Sequence, residues 1–259
     1  MMTKQPHILV TNDDGVTAPG LLALAQELRK LGRVTILAPD RNWSASGHVK
    51  TMHRPLRVKE VVLDDGTTAL ASDGAPSDCV ALAVLGLVED LDLVVSGINP
   101  NANLGHDVTY SGTVTAAMEA VIGELPGLAV SLNAAGNHLE QVDYGPAAKI
   151  ARRIARTLWE GGLPPEVVLN LNVPDLPEEE IRGVQVTRQG LRVYQDELVI
   201  REDPRGKLYY WIGGAPPTGV PDQGTDVGAL STGYASLTPL KLDLTAVDQL
   251  ARIQDIFDG

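Results

Sequence analysis

The chain has 259 residues, of which 44% are hydrophobic and 21% are charged. These proportions are typical of a globular protein and exclude a disordered or collagen-like chain. Lys and Arg number 21 against 33 Asp and Glu, so the formal net charge is −12. Because proteins that bind extended nucleic acid usually carry a basic face, we expect no partner of that kind.

The apolar runs and the cysteine content limit where the protein acts. The longest apolar run, residues 79–88, has only ten residues, whereas a membrane-spanning helix needs about 20. The apolar stretch at residues 8–10 is too short for the core of a signal peptide. Cys79 is the single cysteine, which excludes a disulfide framework and a thiolate zinc site. We therefore expect a cytoplasmic protein with no membrane partner.

In the first two-thirds of the chain, short apolar runs alternate with segments of helical periodicity. The apolar runs predict buried strands at residues 7–11, 34–38, 91–96, 128–132 and 167–173. Helical spacing predicts helices at residues 21–31, 77–88, 113–122 and 147–159. Asp64, Asp65 and Gly66 predict the turn of a hairpin over residues 55–71. The alternation predicts an α/β fold, a Rossmann-like three-layer core with a mostly parallel sheet.

The pattern changes after residue 174. Residues 1–174 are the predicted α/β core, and residues 175–259 are a predicted extension with hairpins, a strand that returns to the core and a terminal helix at 244–257. Within the extension, residues 175–224 are rich in Pro and Gly, yet they carry apolar pieces such as residues 208–212. Such pieces would be exposed on a monomer, so we expect the extension to build an oligomer. The alternative is that the hairpins fold back on their own core.

Ligands of open α/β sheets bind at the carboxyl ends of the strands, so the loops that follow strands are candidate sites. Asp13 and Asp14 are adjacent and follow the first predicted strand. Two neighbouring carboxylates repel each other unless a cation or a proton lies between them, and their oxygens suit Mg²⁺ or Mn²⁺ better than zinc. A structural interpretation remains open, with Asp14 and Gly15 as a plain turn and Asp13 as the cap of the next helix.

Two further loops carry polar groups. Residues 40–48 follow the second predicted strand and hold Ser44 among other neutral oxygen donors, although a plain polar loop is the alternative. The loop at residues 73–78 leads into a predicted helix. Ser77 or Asp78 as the N-cap of that helix explains this loop without any function.

The longest polar loop, residues 96–113, follows a buried strand and ends at a helix. Its asparagines are Asn99, Asn101 and Asn103. A carboxamide offers an oxygen to a metal and an NH₂ group to an anion. At the end of the loop, Ser111, Gly112 and Thr113 open the helix, so that backbone N–H groups and hydroxyls converge as a phosphate site requires. The alternative is that Ser111 or Thr113 only caps the helix.

These loops match the motifs of one family. The chain resembles the stationary-phase survival protein SurE family, and the resemblance covers nearly its whole length. The matching stretches are TNDDGVTAPG from Thr11, APDRNWSASG from Ala38, GAPSDCV from Gly74, SGINPNANLGHDVTYSGTVTAAMEA from Ser96, LNVP from Leu171 and TDVGALSTGYASLTPL from Thr225. His106 departs from the common pattern, in which this position is often acidic.

The resemblance implies a metal-dependent phosphomonoesterase that hydrolyses nucleoside 5′-monophosphates, often 3′-nucleotides and sometimes short polyphosphate. It implies one Mg²⁺ or Mn²⁺ per subunit and a homodimer or homotetramer. The implied metal ligands are Asp13, Asp14, Ser44 and Asn99, of which Asp13 and Asp14 are also catalytic. The implied phosphate-binding residues are Asn101, Asn103, Gly105, Ser111, Gly112 and Thr113.

The residues and the resemblance together give one mechanism and two alternatives. In the mechanism, a divalent ion neutralises the phosphate oxygens and acidifies a water that Asp13 orients or deprotonates. In the first alternative, Asp13 attacks phosphorus and forms a phosphoaspartyl intermediate, although such enzymes usually carry Asp-x-Asp and here the aspartates are adjacent. The second alternative is a nucleotide-binding sensor without enzymatic activity, which the fold alone does not exclude.

Overall fold

A computed structural model describes residues 5–134, 142–161, 164 and 166–258. The strands are β1 (His7–Thr11), β2 (Arg33–Pro39), β3 (Val58–Val62), β4 (Thr68–Ser72), β5 (Leu93–Asn99), β6 (Gly127–Asn133), β7 (Val167–Pro174), β8 (Val184–Val186), β9 (Arg192–Glu202), β10 (Leu208–Gly219) and β11 (Ala235–Lys241). The helices are α1 (Pro19–Leu28), α2 (Pro76–Leu82), α3 (Gly112–Ile122), α4 (Gly145–Trp159), α5 (Asp226–Ser231) and α6 (Leu250–Asp258).

Within the described residues, nine strands form the main sheet in the order β3-β4-β2-β1-β5-β6-β7-β11-β8. The six adjacent strands β4, β2, β1, β5, β6 and β7 pair in parallel. By contrast, β3 pairs antiparallel to β4, and β11 pairs antiparallel to β7. The predicted α/β class and mostly parallel sheet are therefore confirmed. The chain runs from β1 outward to β2 on one side and later to β5 on the other, so the loops after β1 and β5 meet at a switch in strand order, where α/β sheets bind ligands.

Helices cover both faces of the sheet and make the three layers that the sequence predicts. Strand β1 shows the cause, because Ile8 and Val10 pack into the core beneath α1 and α4, while Leu9 points to the opposite core beneath α2 and α3. This alternation is the period of two of a strand that is buried on both faces. No helix within the described residues is long and apolar enough to cross a bilayer.

Helix α2 differs from its prediction at both ends. It begins at Pro76 with Ala75 as its N-cap, so the prediction that Ser77 or Asp78 is the N-cap is wrong. Proline is well suited to the first helical position, and Asp78 instead accepts a hydrogen bond from the Ala75 backbone N–H at 2.9 Å. The α-helix ends at Leu82 and passes into a wider turn that contains Gly86 at φ 119°.

The C-terminal third contains a hairpin and a terminal helix, as the sequence predicts, but with bounds that the sequence did not give. Strands β9 and β10 form a separate antiparallel hairpin of two strands. Both faces of this hairpin are largely exposed, so it lacks the alternation that marks a half-buried strand. The helix predicted at residues 244–257 is shorter, because α6 begins at Leu250 after a single 3₁₀ turn at Val247–Gln249.

Candidate active site

The turn after β1 directs two acidic side chains toward the edge of the sheet. The Asn12 side chain donates to the Gly15 carbonyl oxygen at 3.0 Å and accepts from the Gly15 N–H at 3.2 Å, which closes the turn. Gly15 has φ +108°, a conformation that favours glycine. A turn is therefore present, but Asp13 does not cap the next helix, since α1 has Ala18 as its N-cap without a side-chain bond.

Asp13 is held by the N-terminus of α3. Its Oδ1 accepts a hydrogen bond from the Thr113 hydroxyl at 2.5 Å, and it is only 4% exposed. A Cβ added at Gly112 would lie 2.7 Å from the Asp13 Cβ, so only glycine allows this close approach. Ser111 is the N-cap of α3 and accepts from the Val114 N–H at 3.1 Å. Ser111 thus caps the helix, as the structural alternative proposed, and Gly112 and Thr113 also fix a carboxylate.

The electrostatics of the aspartate pair favour a cation. Burial raises the pKa of Asp13 despite hydrogen bonds from Thr113 and the α3 backbone. Burial, together with the charge of Asp13, raises the pKa of Asp14 to about 7. Within the described residues, no Lys, Arg or His forms an ion pair with either carboxylate. The two carboxylates therefore repel each other when both are ionised, and a bound cation would relieve this repulsion.

The loop after β2 brings Ser44 to the same place. The Trp43 N–H donates to the Asp13 carbonyl oxygen at 2.7 Å, and the Ser44 N–H donates to Asn42 Oδ1 at 2.7 Å. Further along the loop, the Gly47 N–H donates to the carbonyl oxygen of Tyr110 at 2.9 Å. The bonds of Trp43 and Gly47 connect this loop to the turn after β1 and to the loop after β5, so it is more than a plain surface connection.

The loop after β5 supplies the asparagines. Asn99 lies at the end of β5, and its side-chain NH₂ donates to the Asn101 carbonyl oxygen, which leaves its own side-chain oxygen as an acceptor. Asn103 is anchored more deeply, because its side chain donates to Ser131 Oγ at 2.8 Å and its backbone N–H donates to Asn172 Oδ1 at 2.7 Å. The buried sheet thus sets the path of the loop.

A cavity of about 680 Å³ joins these loops. Seven of the ten predicted site residues line it: Asp13, Asp14, Ser44, Asn99, Asn101, Asn103 and Ser111. Gly112 and Thr113 lie behind Asp13 and hold it in place. Gly105 is placed differently, because its N–H donates to Asp226 Oδ2 at 2.8 Å and its carbonyl oxygen accepts from Gln189. Its backbone groups are occupied by the C-terminal part of the chain.

The cavity also has a wall that sequence analysis missed. Arg192, Pro216 and Pro217 come from the β9–β10 hairpin, and Asp107 and Tyr110 come from the loop after β5. The position of Asp107 and Tyr110 within the longest polar loop was a usable signal. The three hairpin residues gave none, because they lie more than 70 residues further along the chain in a segment without periodicity.

An ion pair fastens the hairpin to the core. Arg192 Nε lies 2.7 Å from Asp107 Oδ2, and both side chains are mostly buried. The Tyr194 hydroxyl donates to Asp107 Oδ1 at 2.5 Å. Burial and this bond raise the pKa of Tyr194 to about 12, so the hydroxyl stays protonated as a donor. Arg192 therefore reaches the cavity in a fixed orientation.

Comparisons with known proteins agree with this geometry. The family described as "Survival protein SurE" matches residues 8–196. The chain belongs to the SurE family. The "5'-nucleotidase SurE" of Herpetosiphon aurantiacus is 53% identical over 248 residues, which are 95% of this chain and 96% of that protein. The protein of the same name from Chloroflexus aggregans is 54% identical over 241 residues, 93% of this chain and 94% of that protein.

A solved SurE structure has the same fold. The SurE protein from Aquifex aeolicus superposes with a TM-score of 0.81 at 40% sequence identity, and the match covers 98% of this chain and all of that one. The mostly parallel sheet with a C-terminal hairpin and helix is therefore a fold already seen among SurE proteins. The resemblance that the loop motifs indicated is confirmed.

The donor set of the cavity fits a hard divalent cation. No group of three or more His, Cys, Asp or Glu side chains that could hold a metal occurs among the described residues. The cavity instead joins two unpaired carboxylates, Asp13 and Asp14, with the neutral oxygens of Ser44 and Asn99. Oxygen ligands of this kind, completed by water, suit Mg²⁺ or Mn²⁺.

Proposed function

We propose that this protein is a metal-dependent 5′-nucleotidase, which hydrolyses nucleoside 5′-monophosphates to nucleoside and phosphate. The observation that carries the proposal is that the buried Asp13 and the half-buried Asp14 face a large cavity and that neither forms an ion pair within the described residues. The names of relatives that are about 50% identical over nearly the whole chain support the same activity.

One Mg²⁺ or Mn²⁺ per subunit would be held by Asp13, Asp14, Ser44 and Asn99. When bound, the cation would supply positive charge to the phosphate oxygens and acidify the attacking water. It would also reverse the local potential in a protein whose net charge of −12 repels an anionic substrate.

The residues around the cation would position the reactants. Asp13, whose orientation Thr113 fixes, would orient the attacking water and take its proton. The Ser111 hydroxyl accepts from the α3 backbone and keeps its own proton for a phosphate oxygen. Asn101 and Asn103 would complete the polar wall around the phosphate. The water oxygen forms a bond to phosphorus as the bond from phosphorus to the 5′ oxygen breaks. The leaving nucleoside oxygen takes up a proton from water, and Asp13 returns the proton that it accepted to solvent.

The contacts of Thr113, Gly112 and Gly105 favour an indirect role for each of them in phosphate binding. Thr113 and Gly112 act through Asp13, because the first donates to it and the second allows its close approach. Gly105 shapes the loop, because its N–H and its carbonyl oxygen already bind Asp226 and Gln189. Phosphate binding then depends on Asn101, Asn103 and Ser111 in the cavity wall.

A panel of phosphate esters tests the activity. After EDTA treatment, phosphate release should stop, and Mg²⁺ or Mn²⁺ should restore it. A 5′-nucleotidase releases phosphate from AMP and GMP faster than from glycerol phosphate, and 3′-AMP and tripolyphosphate measure the breadth of the activity. Nucleotide binding without any turnover would favour the sensor alternative.

The two chemical routes differ in one intermediate. Attack by water leaves no covalent phosphoenzyme, whereas attack by Asp13 leaves an acyl phosphate on that residue. Rapid quench with ³²P-labelled AMP separates them. A labelled peptide that contains Asp13 would establish the phosphoaspartyl route instead.

We also propose that the extension joins subunits into a homodimer or homotetramer. The hairpin exposes Leu198, Trp211 and Ile212, and Ile212 is 86% exposed. Helix α6 contains no buried residue, and Phe257 in it is 82% exposed. Light scattering after gel filtration should give a multiple of 27.5 kDa; a monomer mass at micromolar concentration would refute this assembly.

We also propose that the protein acts in the cytoplasm, since its single cysteine, Cys79, is buried and forms no disulfide.

A further inference from the structure

The cavity is larger and more varied than a phosphate site requires. Its volume of about 680 Å³ falls within the range of pockets that enclose a whole small-molecule ligand. Besides the carboxylates and asparagines, its lining includes Tyr110, Pro216 and Pro217. The proposed function assigns the polar residues to the phosphate and gives no role to Tyr110, Pro216 and Pro217.

Tyr110 is held beside the phosphate-binding wall. It directly precedes Ser111, the N-cap of α3. Its backbone N–H donates to the Asp107 carbonyl oxygen at 3.0 Å, and its own carbonyl oxygen accepts from Gly47 at 2.9 Å. The backbone is therefore fixed on both sides, yet the side chain is 62% exposed within the cavity wall. An exposed aromatic ring on a fixed backbone is suited to stacking on a flat ligand.

Pro216 and Pro217 reach the same cavity from the hairpin. They lie at the irregularity of the β9–β10 pairing, between Ala215 opposite Gln195 and Thr218 opposite Val193. Proline has no N–H for the ladder, so its ring is free to face the cavity. Tyr194, on the facing part of β9, binds Asp107 and so fastens this part of the hairpin to the loop of Tyr110.

We infer that Tyr110 and the Pro216–Pro217 pair form the nucleobase subsite of this cavity, with the base stacked on the Tyr110 ring. The inference rests on the proposed function, because the phosphate end of the cavity fixes where the rest of a nucleotide must lie. A base attached through ribose to a phosphate at Ser111 has the neighbouring Tyr110 ring within reach. Stacking on a tyrosine recognises the flat face that all bases share.

The test compares a substrate that has a base with one that lacks it. In Tyr110→Ala, we expect kcat/KM for AMP to fall about tenfold, mostly through KM, as is usual for the loss of one stacked aromatic. For ribose 5-phosphate, kcat/KM should stay within about twofold of the wild-type value, since no base is lost. Tyr110→Phe keeps the ring and should retain the wild-type ratio for the two substrates.

His106→Ala is the matched control, because His106 is an exposed ring on the same turn and does not line the cavity. It should leave the ratio of AMP to ribose 5-phosphate efficiency unchanged. An equal loss for both substrates in Tyr110→Ala, or no loss for AMP, would overturn the nucleobase subsite while leaving the 5′-nucleotidase activity intact.

Binding of adenosine separates the subsite from the activity. Adenosine carries no phosphate, so its affinity does not depend on turnover. Its dissociation constant, measured by calorimetry, should rise about tenfold in Tyr110→Ala and stay unchanged in His106→Ala. If the wild-type protein released no phosphate from either ester, the proposed function would fail. This binding difference would still decide the subsite, and equal affinities would refute it.

Discussion

The tripeptide Asp-Asp-Gly occurs at residues 13–15 and again at residues 64–66, with opposite electrostatic results. Both glycines adopt positive φ, +108° at Gly15 and +81° at Gly66. At the sheet edge, burial and mutual repulsion raise the pKa of Asp14 to about 7. In the exposed hairpin turn, hydrogen bonds from Thr67, Gln26 and Arg29 hold the pKa of Asp65 well below its usual range.

The difference comes from the surroundings and not from the tripeptide. The first pair lies where two parallel strands and the N-terminus of α3 meet, so Asp13 is buried, Asp14 is half-buried, and neither has a cationic partner among the described residues. The second pair is open to solvent, and Asp65 lies 3.4 Å from Arg29. A turn sequence becomes a candidate metal site only when the fold buries its charges together.

Replacing the second aspartate of each pair should give the largest difference in activity between two variants. Asp14→Asn removes a proposed ligand of the cation, and we expect a loss of kcat/KM for AMP of roughly a thousandfold. Asp65→Asn changes the same residue in the same tripeptide and should leave kcat/KM within about twofold. Phosphate release with Mn²⁺ measures both. Comparable activity in the two variants would remove the distinction between the pairs.

The contact between Asp13 and Thr113 offers a smaller contrast. Thr113→Val keeps the shape of the side chain and deletes the hydroxyl that donates to Asp13, so we expect activity to fall roughly 10- to 100-fold, as for other residues that orient metal ligands. Thr67→Val removes the corresponding hydroxyl beside Asp65 and should not affect activity. A Thr113→Val enzyme with full activity would mean that Asp13 needs no support from α3.

In the metal-free protein, the contributions of Asp14 and Asp65 to stability should change in opposite directions as the pH rises. The pKa of Asp14 is raised from 3.8 to about 7, so the folded protein favours the protonated carboxyl over the ionised one. The contribution of Asp14 to the free energy of unfolding is therefore full below pH 3.8 and is lost as the pH rises through 7. Asp65 has a lowered pKa, so its contribution is present at neutral pH and is lost in acid.

Thermal unfolding in EDTA at pH 8 measures this contrast. Asp14→Asn should raise the Tm by roughly 2–4 °C, since it removes a partly buried charge. Asp65→Asn should lower the Tm slightly. The stabilisation by Asp14→Asn should disappear at pH 4, where the wild-type carboxyl is already protonated. A lower Tm for Asp14→Asn at pH 8 would show that this carboxylate is not strained in the metal-free protein.

The sequence predicted the core and the loops of the site because both follow local rules. Alternating apolar strands and helices determine an α/β sheet, and ligands collect where its strands end. The contact between Asp13 and Thr113 joins residues 100 positions apart, so only their loops, and not the bond, could be predicted. Arg192, Pro216 and Pro217 reach the cavity through an exposed hairpin that has no periodic signal. The bond from Gly105 to Asp226 could not be predicted either, because the two residues lie 121 positions apart.

Calorimetric titration of Mn²⁺ into EDTA-treated protein measures most directly whether Asp13 and Asp14 hold the cation. The wild-type protein and Asp65→Asn should each bind one Mn²⁺ per subunit with the same affinity, whereas Asp14→Asn should bind at least roughly tenfold more weakly. Binding to the wild-type protein should also release protons at pH 6, because Asp14 is then largely protonated. Equal stoichiometry and affinity in Asp14→Asn and Asp65→Asn would contradict the assignment of the metal site to Asp13 and Asp14.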